Sequence, residues 1–387
     1  MAFRNDLKIF LKNPFLFIYC AIILSVSIYS LKKPAYNWDM LPYMGVILSY
    51  DKIDVKTIHD SVYNIAKNQI PSTFYNRMID SSNKYRYDVA QSTEAFNLQL
   101  PLYVVKPLYT RLGSLFYKAG ASLPVATILP SVISYFLISL LLFYWLQKYL
   151  SVLPAFAGST LIMLSAPLFS VVNLSSPDML SALLLFIAIY AITEKRSLAW
   201  TFSFLVLGVF ARLDNIIPAI FFLTTLTFTN KWSPKISAGK LSLLLTVLLL
   251  SYLVVSFNAR SFGWSIFYYP SFVKQLNPSY DINSTFVFKD YMALAKSQLM
   301  TGLFFSSLSL FFFLVLLLLG NSSPFHFNGL TMEQTLAILF TLIIIVRFVL
   351  QPLITDRLYL PYYLSVIIFL VKKYAFALNT QQLLRNE

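Results

Sequence analysis

The chain has 387 residues, of which 58% are hydrophobic and 12% charged, and its mean hydropathy of +0.68 excludes an ordinary soluble protein. Its formal net charge is +14, and many of its lysines and arginines lie in short breaks between long uncharged runs, which is typical of membrane proteins rather than of nucleic-acid binding. The single cysteine, Cys20, excludes an internal disulfide framework, and the two histidines, His59 and His326, lie too far apart in sequence to predict a metal site.

We predict an all-α integral membrane protein with about ten transmembrane helices, in which residues 1–387 form a single polytopic domain. Each apolar run is near the roughly 20 residues that cross a bilayer. Because no A-x-A-like cleavage site follows the first run, we expect it to be kept as a span rather than removed as a signal peptide. The predicted spans are 14–31, 124–146, 152–171, 178–193, 198–211, 216–228, 241–257, 299–319, 336–353 and 358–371.

Two long breaks interrupt these runs, at 32–123 and at 258–297. The first mixes aromatic, aliphatic and basic residues, which is typical of helices that lie in a membrane interface. A further span at 100–117 is the competing interpretation. The second break is rich in aromatic residues, which fit either sugar stacking or an interfacial belt. The amphipathic segments of the first break are 63–70, 74–79 and 98–117.

Basic residues near the span ends predict the orientation of the chain, because positive charges favour the cytoplasmic side. With ten spans they all fall on one side, so both termini are cytoplasmic and the two long breaks are extracytoplasmic. The break at 322–333 is also cytoplasmic but carries no lysine or arginine. The basic residues concerned are Arg4, Lys8, Lys12, Lys148, Lys195, Arg196, Lys231, Lys235, Lys240, Lys372 and Lys373.

Charged residues cluster instead at the extracytoplasmic turns, close to apolar sequence. Such charges are costly near a membrane and indicate a functional site. Their position predicts a polar cavity that opens at the outer leaflet between apolar helices. The residues are Asp39 after the first span, Asp178 at the start of the fourth, Arg212 and Asp214 between the fifth and sixth, and Arg347, Asp356 and Arg357 around the last turn.

Each of these residues also has a structural interpretation. Asp39 can be solvated within an ordinary interfacial belt. Asp178 is well placed to cap a helix, since a carboxylate is favourable at a helix N-terminus. Arg212 and Asp214 can form a local ion pair, and Arg357 can extend to the lipid headgroups.

Five short motifs resemble the GT-C superfamily of integral-membrane glycosyltransferases, which use lipid-phosphate-linked sugars. The resemblance covers most of the chain in architecture and indicates a bacterial-type branch in the inner membrane. Lys106-Pro107-Leu108-Tyr109 has one proline fewer than the related family element. The other motifs are Asn37-Trp38-Asp39-Met40-Leu41-Pro42-Tyr43, Ser176-Pro177-Asp178-Met179-Leu180, Gly208 with Ala211-Arg212-Leu213-Asp214, and Arg357-Leu358-Tyr359-Leu360-Pro361.

The resemblance implies transfer of a sugar from a polyprenyl-phosphate donor to a glycan, lipid or protein acceptor, with inversion, at the extracytoplasmic face. Asp39 would be the catalytic base and Asp178 a second catalytic acid. The donor phosphate would bind Arg357, Arg347 and Lys106. Substrate orientation would fall to Arg212, Asp214, Tyr43 and Trp38.

Partners implied by this reading are the lipid-linked donor, the acceptor and membrane lipids, with no nucleic acid. No metal site is predicted, but the lack of an Asp-x-Asp pair at Asp39 leaves a requirement for Mg²⁺ or Mn²⁺ open. Two other functions compete: a non-enzymatic lipid or glycan transporter, and a polymerase or ligase of polyprenyl-linked glycans.

Overall fold

The computed structural model describes residues 13–51, 54–195, 197–229, 236–259, 287–305, 307–320 and 329–385. Every regular element within these ranges is helical, which confirms the all-α prediction. The helices are α1 (Pro14–Lys32), α2 (Met40–Ser49), α3 (Val55–Gln69), α4 (Ser72–Met78), α5 (Lys84–Gln91), α6 (Thr93–Gln99), α7 (Pro101–Val104), α8 (Pro107–Lys118), α9 (Leu123–Leu146), α10 (Val152–Met163), α11 (Ala166–Val172), α12 (Asp178–Tyr190), α13 (Leu198–Ala211), α14 (Ile216–Phe228), α15 (Ala238–Asn258), α16 (Phe288–Phe305), α17 (Leu308–Leu319), α18 (Met332–Leu350) and α19 (Leu360–Arg385).

Five helices are long and apolar enough to cross a membrane: α1, α9, α15, α18 and the first part of α19, Leu360–Ala377. The pair α10 and α11 passes the same criterion together, which gives up to six candidate spans among the described residues. These helices fit a multi-pass membrane protein.

The predicted span at 152–171 is not one straight helix, because α10 and α11 meet at an angle of 61°. Pro167 lies at the start of α11, where its missing N–H cannot bond back into α10. The predicted span at 299–319 is likewise divided between α16 and α17. Helices α12, α13 and α14 have 13 or 14 residues, about 20 Å. They are thus shorter than the roughly 30 Å apolar layer of a bilayer.

The break at 32–123 is largely helical. Helix α3 buries one amphipathic face, which includes Ile58, Val62 and Ala66. The competing span at 100–117 is not a continuous helix, since α7 ends at Val104 and α8 begins at Pro107. Helix α2 was not expected, and its residues from Met40 to Leu48 are all buried.

Helix α12 lies in the interior, against α9, α13 and α19. Its residues are almost all buried, beginning with Asp178. Near its other end, the fully buried Trp145 of α9 packs on Phe186, Tyr190 and Phe369, with ring centroids 5.4, 5.1 and 6.3 Å away. This packing fixes α12 and brings the acid at its first position into a largely apolar core.

Candidate functional site

The turn that precedes α12 is bound to the turn that precedes α2. Asn37 makes two hydrogen bonds to the Ser175 backbone: it accepts from the N–H at 3.0 Å and donates to the carbonyl at 3.2 Å. The Ala35 N–H also donates to the Asn173 carbonyl at 3.1 Å. These bonds hold Asp39 and Asp178, which are far apart in sequence, at the same end of the molecule.

Two hydroxyl groups of α9 support the same turn from below. The Thr127 and Ser175 hydroxyls lie 2.8 Å apart, and the Ser131 hydroxyl donates to the Ser176 carbonyl at 2.8 Å. All four side chains are buried, so these bonds form away from bulk water, where an unsatisfied polar group is costly. The backbone before Asp178 is therefore held in one position.

Asp39 is partly buried just before α2. Its carboxylate accepts a hydrogen bond from the Tyr103 hydroxyl at 2.8 Å and a longer one from the Asn37 amide at 3.4 Å. Burial, and then the negative charge of Asp39, raises the pKa of Tyr103 well above its ordinary value, so the phenol stays a hydrogen-bond donor. No lysine or arginine of the described ranges lies within 4 Å of the Asp39 carboxylate.

Lys106 lies between α7 and α8, beside this acid. Its ammonium donates to the Leu102 carbonyl at 3.0 Å and lies 4.8 and 5.4 Å from the ring centroids of Tyr103 and Tyr43. Desolvation, and then the positive charge of Arg212, lowers its pKa from 10.5 to about 8, although nearby aspartates oppose the shift. The charge of Lys106 therefore depends on pH near neutrality.

The remaining charges alternate in a continuous chain. Arg357 Nε lies 3.3 Å from Asp178, and Asp178 also pairs with Arg212. Arg212 in turn makes a bidentate contact with Asp214 at 3.0 and 2.9 Å, and Asp214 pairs with Arg347. Guanidinium groups suit such contacts because two parallel N–H donors match the two oxygens of a carboxylate.

Most of this chain of ion pairs is buried. Asp178 is 3% exposed and Arg347 is 2% exposed, whereas the side chain of Arg357 is 34% exposed. The gap that Asp178, Arg212, Arg347 and Arg357 line has no room for a water molecule. Arg347 Nε is buried without a hydrogen-bond partner among the described residues.

The seven charged residues Asp39, Lys106, Asp178, Arg212, Asp214, Arg347 and Arg357 are named here the first cluster. They come from the loops before α2, α8 and α12, the turn between α13 and α14, and both sides of the turn before α19. Four of these side chains are basic and three acidic, so the cluster carries a net positive charge when all are ionised. It can bind an anion next to a carboxylate, Asp39, that is not neutralised by an arginine.

The predicted charged site residues are thus brought together except for Asp356, and the two predicted aromatic residues, Tyr43 and Trp38, make mainly aromatic contacts beside the cluster. Tyr43 is buried, and its ring packs against Tyr103 and Tyr109 at 4.9 and 4.8 Å. Trp38 packs against Tyr85 at 5.5 Å, and its indole N–H is buried without a partner in the described parts of the chain. Asp356 makes no ion pair with the cluster; its carboxylate accepts from the Ser307 N–H at 3.0 Å.

Sequence reasoning did not assign roles to Tyr103, Asn37 or Asn215. Asn215 is fully buried and donates to the Ser181 hydroxyl and the Gly208 carbonyl at 2.7 and 2.8 Å, which fixes the Arg212–Asp214 turn against α12. A signal existed for Asn37 and Asn215, because each adjoins a predicted charged residue in the same motif. Tyr103 contacts Asp39 across 64 positions, and no local pattern indicates that pairing.

A second cluster lies at the other ends of α12 and α19. Lys148 pairs with Glu194 at 2.7 Å, Tyr149 donates to Glu194, and Lys372 contacts both Glu194 and Glu333. Glu194 belongs to a π-helical turn, Ala191–Lys195, that follows α12 directly. Such turns re-aim side chains that a regular helix would point elsewhere. We name Lys148, Tyr149, Glu194, Glu333 and Lys372 the second cluster.

A metal site and the aromatic residues of the second long break can be assessed only in part, because some of the residues concerned lie outside the described ranges. Within those ranges, no group of three or more His, Cys, Asp or Glu side chains is arranged to hold a metal ion. In the second long break, Tyr291 donates to the Val349 carbonyl at 2.7 Å. The other aromatic residues of this break, which fit either sugar stacking or an interfacial belt, lie outside the described residues, as does His326; they are Trp264, Phe267, Tyr268, Tyr269 and Tyr280.

Comparison of the chain with protein-family models, with curated proteins and with solved structures gives no match. The case for a function therefore depends on the geometry of the site.

Proposed function

We propose that this protein is a membrane glycosyltransferase that moves a sugar from a polyprenyl-phosphate donor to an acceptor hydroxyl. The acceptor belongs to a glycan, a lipid or a protein. The observation that carries this proposal is the first cluster, in which three arginines pair with Asp178 and Asp214 and Lys106 lies close by. Beside them is the Asp39 carboxylate, which has no lysine or arginine of the described ranges within 4 Å. Sugar transfer from a phosphate needs both parts, a base for the acceptor and positive charge for the leaving group.

Asp39 is the base in this mechanism. The Tyr103 and Asn37 hydrogen bonds orient its carboxylate without neutralising it. The other two acids of the first cluster, Asp178 and Asp214, each contact arginines and are buried or nearly so. Attack by one activated hydroxyl on the anomeric carbon predicts inversion. General base catalysis of this kind is typically worth about 10²–10⁴ in rate.

The leaving phosphate is stabilised by Arg357, Lys106 and Arg347. Arg357 is the most exposed of the three arginines in the first cluster and has a single carboxylate contact, at 3.3 Å. A phosphate can therefore replace Asp178 as its partner with a small side-chain movement. Asp178 then acts with Arg212 to orient the substrates, and Asp214 holds Arg212 and Arg347 in place. The hydroxyl that Asp39 deprotonates must attack the anomeric carbon while Arg357 holds the phosphate, so the donor lies between Asp39 and Arg357.

The two clusters support a ten-span topology with the site facing outside. Six residues of the first cluster fall within or beside a break that follows an odd-numbered predicted span, and Arg347 lies inside the ninth span, toward the same end. The charged residues of the second cluster fall in or beside breaks that follow even-numbered spans. Within each cluster the residues contact one another, and the two clusters lie at opposite ends of α12 and α19. A bacterial inner membrane, with the short helices α13 and α14 counted as spans, is consistent with this arrangement.

The substitution Asp39→Asn tests the proposal. Membranes that contain the variant are supplied with labelled polyprenyl-phosphate hexoses, and transfer of label to endogenous acceptors is measured. We expect at least about a hundred-fold loss of transfer, because a neutral amide cannot accept the proton. Binding of the donor should change little, since the phosphate contacts remain. The same assay with added EDTA measures any requirement for Mg²⁺ or Mn²⁺.

Asp60→Asn is the matched control, because Asp60 is an exposed acid of the same extracytoplasmic break. Near wild-type transfer by Asp39→Asn would show that another residue is the base. Movement of a fluorescent lipid-linked sugar across liposomes that lack any acceptor would instead identify a transporter.

A further inference from the structure

A second cavity lies beside the second cluster, distant from the proposed catalytic residues. Its volume is about 520 Å³, within the roughly 300–1,000 Å³ range of ligand pockets. Most of its lining is apolar, and two tyrosines are included in it. The lining includes Tyr149, Leu150, Leu314, Ile367, Val371 and Tyr374.

The cavity lies where two candidate spans end. Tyr149 follows the last residue of α9, Leu146, by three positions, and Tyr374 precedes the end of the apolar part of α19, Ala377, by three. Tyrosines are enriched at this depth, where a ring meets the headgroups and the acyl chains begin. In a bilayer an apolar cavity at this level faces lipid chains rather than water.

Three lysines adjoin lining residues of the cavity, and the Lys372 ammonium lies 5.6 Å from the centroid of the Tyr149 ring. Lys148 precedes Tyr149, and Lys372 and Lys373 lie between Val371 and Tyr374, so all three are next to residues that line the cavity. Glu194 and Glu333 neutralise two of the positive charges. Lys373 instead donates to the Leu317 and Leu318 carbonyls at 3.0 and 2.9 Å, with no carboxylate partner among the described residues.

We propose that this cavity binds one acyl chain of an anionic phospholipid, whose phosphate is held by the adjacent lysines. The apolar walls of the cavity bury the acyl chain, and the net positive charge of the lysines favours an anionic headgroup. The lipid comes from the leaflet opposite the proposed catalytic site. This inference does not depend on the glycosyltransferase assignment, because none of the residues concerned belongs to the first cluster.

The tail of a prenyl phosphate is a less suitable occupant. Along α19, Pro361 beside the first cluster and Tyr374 beside the cavity are separated by about 20 Å. A tail that arrived from the first cluster would place hydrocarbon at the level of the lysines and leave their net charge without a counterion. A phospholipid anchored from its own leaflet satisfies the lysines and the apolar walls together.

Native mass spectrometry of the full chain tests the proposal. Protein from nanodiscs with equal amounts of phosphatidylglycerol and phosphatidylcholine is released into a detergent that removes loosely bound lipid. We expect one phosphatidylglycerol to be retained. It should be preferred over phosphatidylcholine by about five-fold, which is the effect of the single lysine that has no carboxylate partner. Lys373→Gln should remove most of this preference, whereas Lys289→Gln, on the exposed surface of α16, should leave it unchanged.

Two substitutions that fill the cavity test its apolar part. Ala375→Trp and Val371→Phe should each lower retention of the lipid, and either one suffices if the other does not fold. Leu316→Trp is the control, because Leu316 lies on the same helix as Leu314 but is 66% exposed. Equal retention of both phospholipids, unchanged retention in a folded cavity variant, or recovery of a prenyl phosphate would overturn the proposal.

Discussion

Asp39 and Asp178 both stand at the start of a helix, yet their neighbours give them different chemistry. Asp178 is buried and paired with Arg212 and Arg357, so its charge is part of the fold. Asp39 is partly exposed and receives only O–H and N–H donors from Tyr103 and Asn37. Residue type alone does not separate these roles; the number of guanidinium partners does.

This difference predicts that substitution of Asp178 lowers the stability of the protein, whereas substitution of Asp39 leaves it nearly unchanged. Asp178→Asn leaves Arg212 with one carboxylate fewer in a buried setting, and breaking such a pair costs about 3–5 kcal/mol. We therefore expect a clearly lower melting temperature in detergent for Asp178→Asn. Asp39→Asn should melt close to the wild type while it loses transfer. Equal melting temperatures for both variants would contradict the buried-pair interpretation.

Lys106 predicts opposite pH dependences for stability and for activity. Its pKa of about 8 in the folded chain lies below 10.5, so the unfolded chain binds more protons between these two values. The free energy of unfolding should therefore rise with pH from about 8 to 10.5. Below pH 8 Lys106 is protonated in both states and adds no pH dependence to the stability. The ammonium that we propose to bind the phosphate is lost over the same interval, so kcat/KM should fall about ten-fold per pH unit above about pH 8.

Lys106→Arg separates these two effects, because arginine stays charged at pH 10. The decline in kcat/KM above pH 8 should disappear in this variant, and Lys106→Met should show low activity at every pH. A wild-type decline that persists in Lys106→Arg would mean that another group titrates. Thermal melting and initial rates across pH 6–10 measure both quantities.

Among the helices, α8 is the element whose packing affects the site most directly. A Cβ atom at Gly113 would lie 2.7 Å from Ile47 Cδ1 of α2 and 3.3 Å from the Ala126 carbonyl of α9. Glycine therefore allows three helices to approach one another just behind Lys106 and Asp39. The close approach connects the buried helix α2 to the candidate active site.

Gly113→Ala should consequently destabilise the protein by about 1–3 kcal/mol, as overpacking does, and reduce transfer. The second substitution Ile47→Val removes the clashing methyl group and should restore part of both. Gly158→Ala on α10 is the matched control, since nothing lies within 4 Å of a Cβ atom there. Melting temperatures and transfer rates of the four proteins test this; a Gly113→Ala variant as stable as Gly158→Ala would contradict it.

The same elements show what the sequence could predict. Charges at span ends were recognisable because each is costly beside apolar sequence, and six of the seven residues of the first cluster were identified that way. The seventh, Lys106, was identified only through the family resemblance. Helix α2 escaped, since ten residues are too few for a span and a helix buried on all sides has no polar face to reveal its period. The bend at Pro167 and the pairing of Tyr103 with Asp39 depend on tertiary contacts that hydropathy does not encode.

For the molecule as a whole, the two clusters define two ends along α12 and α19. If these ends face opposite sides of the membrane, exposed residues near each should be accessible from one side only. In a Cys20→Ser background, Lys84→Cys should react with an impermeant maleimide in right-side-out vesicles. Lys240→Cys should react only after the vesicles are opened. Reaction of Lys240→Cys in sealed vesicles would exclude the predicted orientation.

The alternating ion pairs of the first cluster also bear on how the chain is made. During synthesis Asp178 and Asp214 emerge more than 130 residues before Arg347 and Arg357, which they contact in the finished protein. Arg212 is available to both acids much earlier, because it follows Asp178 by 34 positions and precedes Asp214 by two. A newly inserted chain can thus neutralise both acids locally until its last two helices arrive. Arg212 would then serve biogenesis first, as a temporary counterion, and catalysis only afterwards.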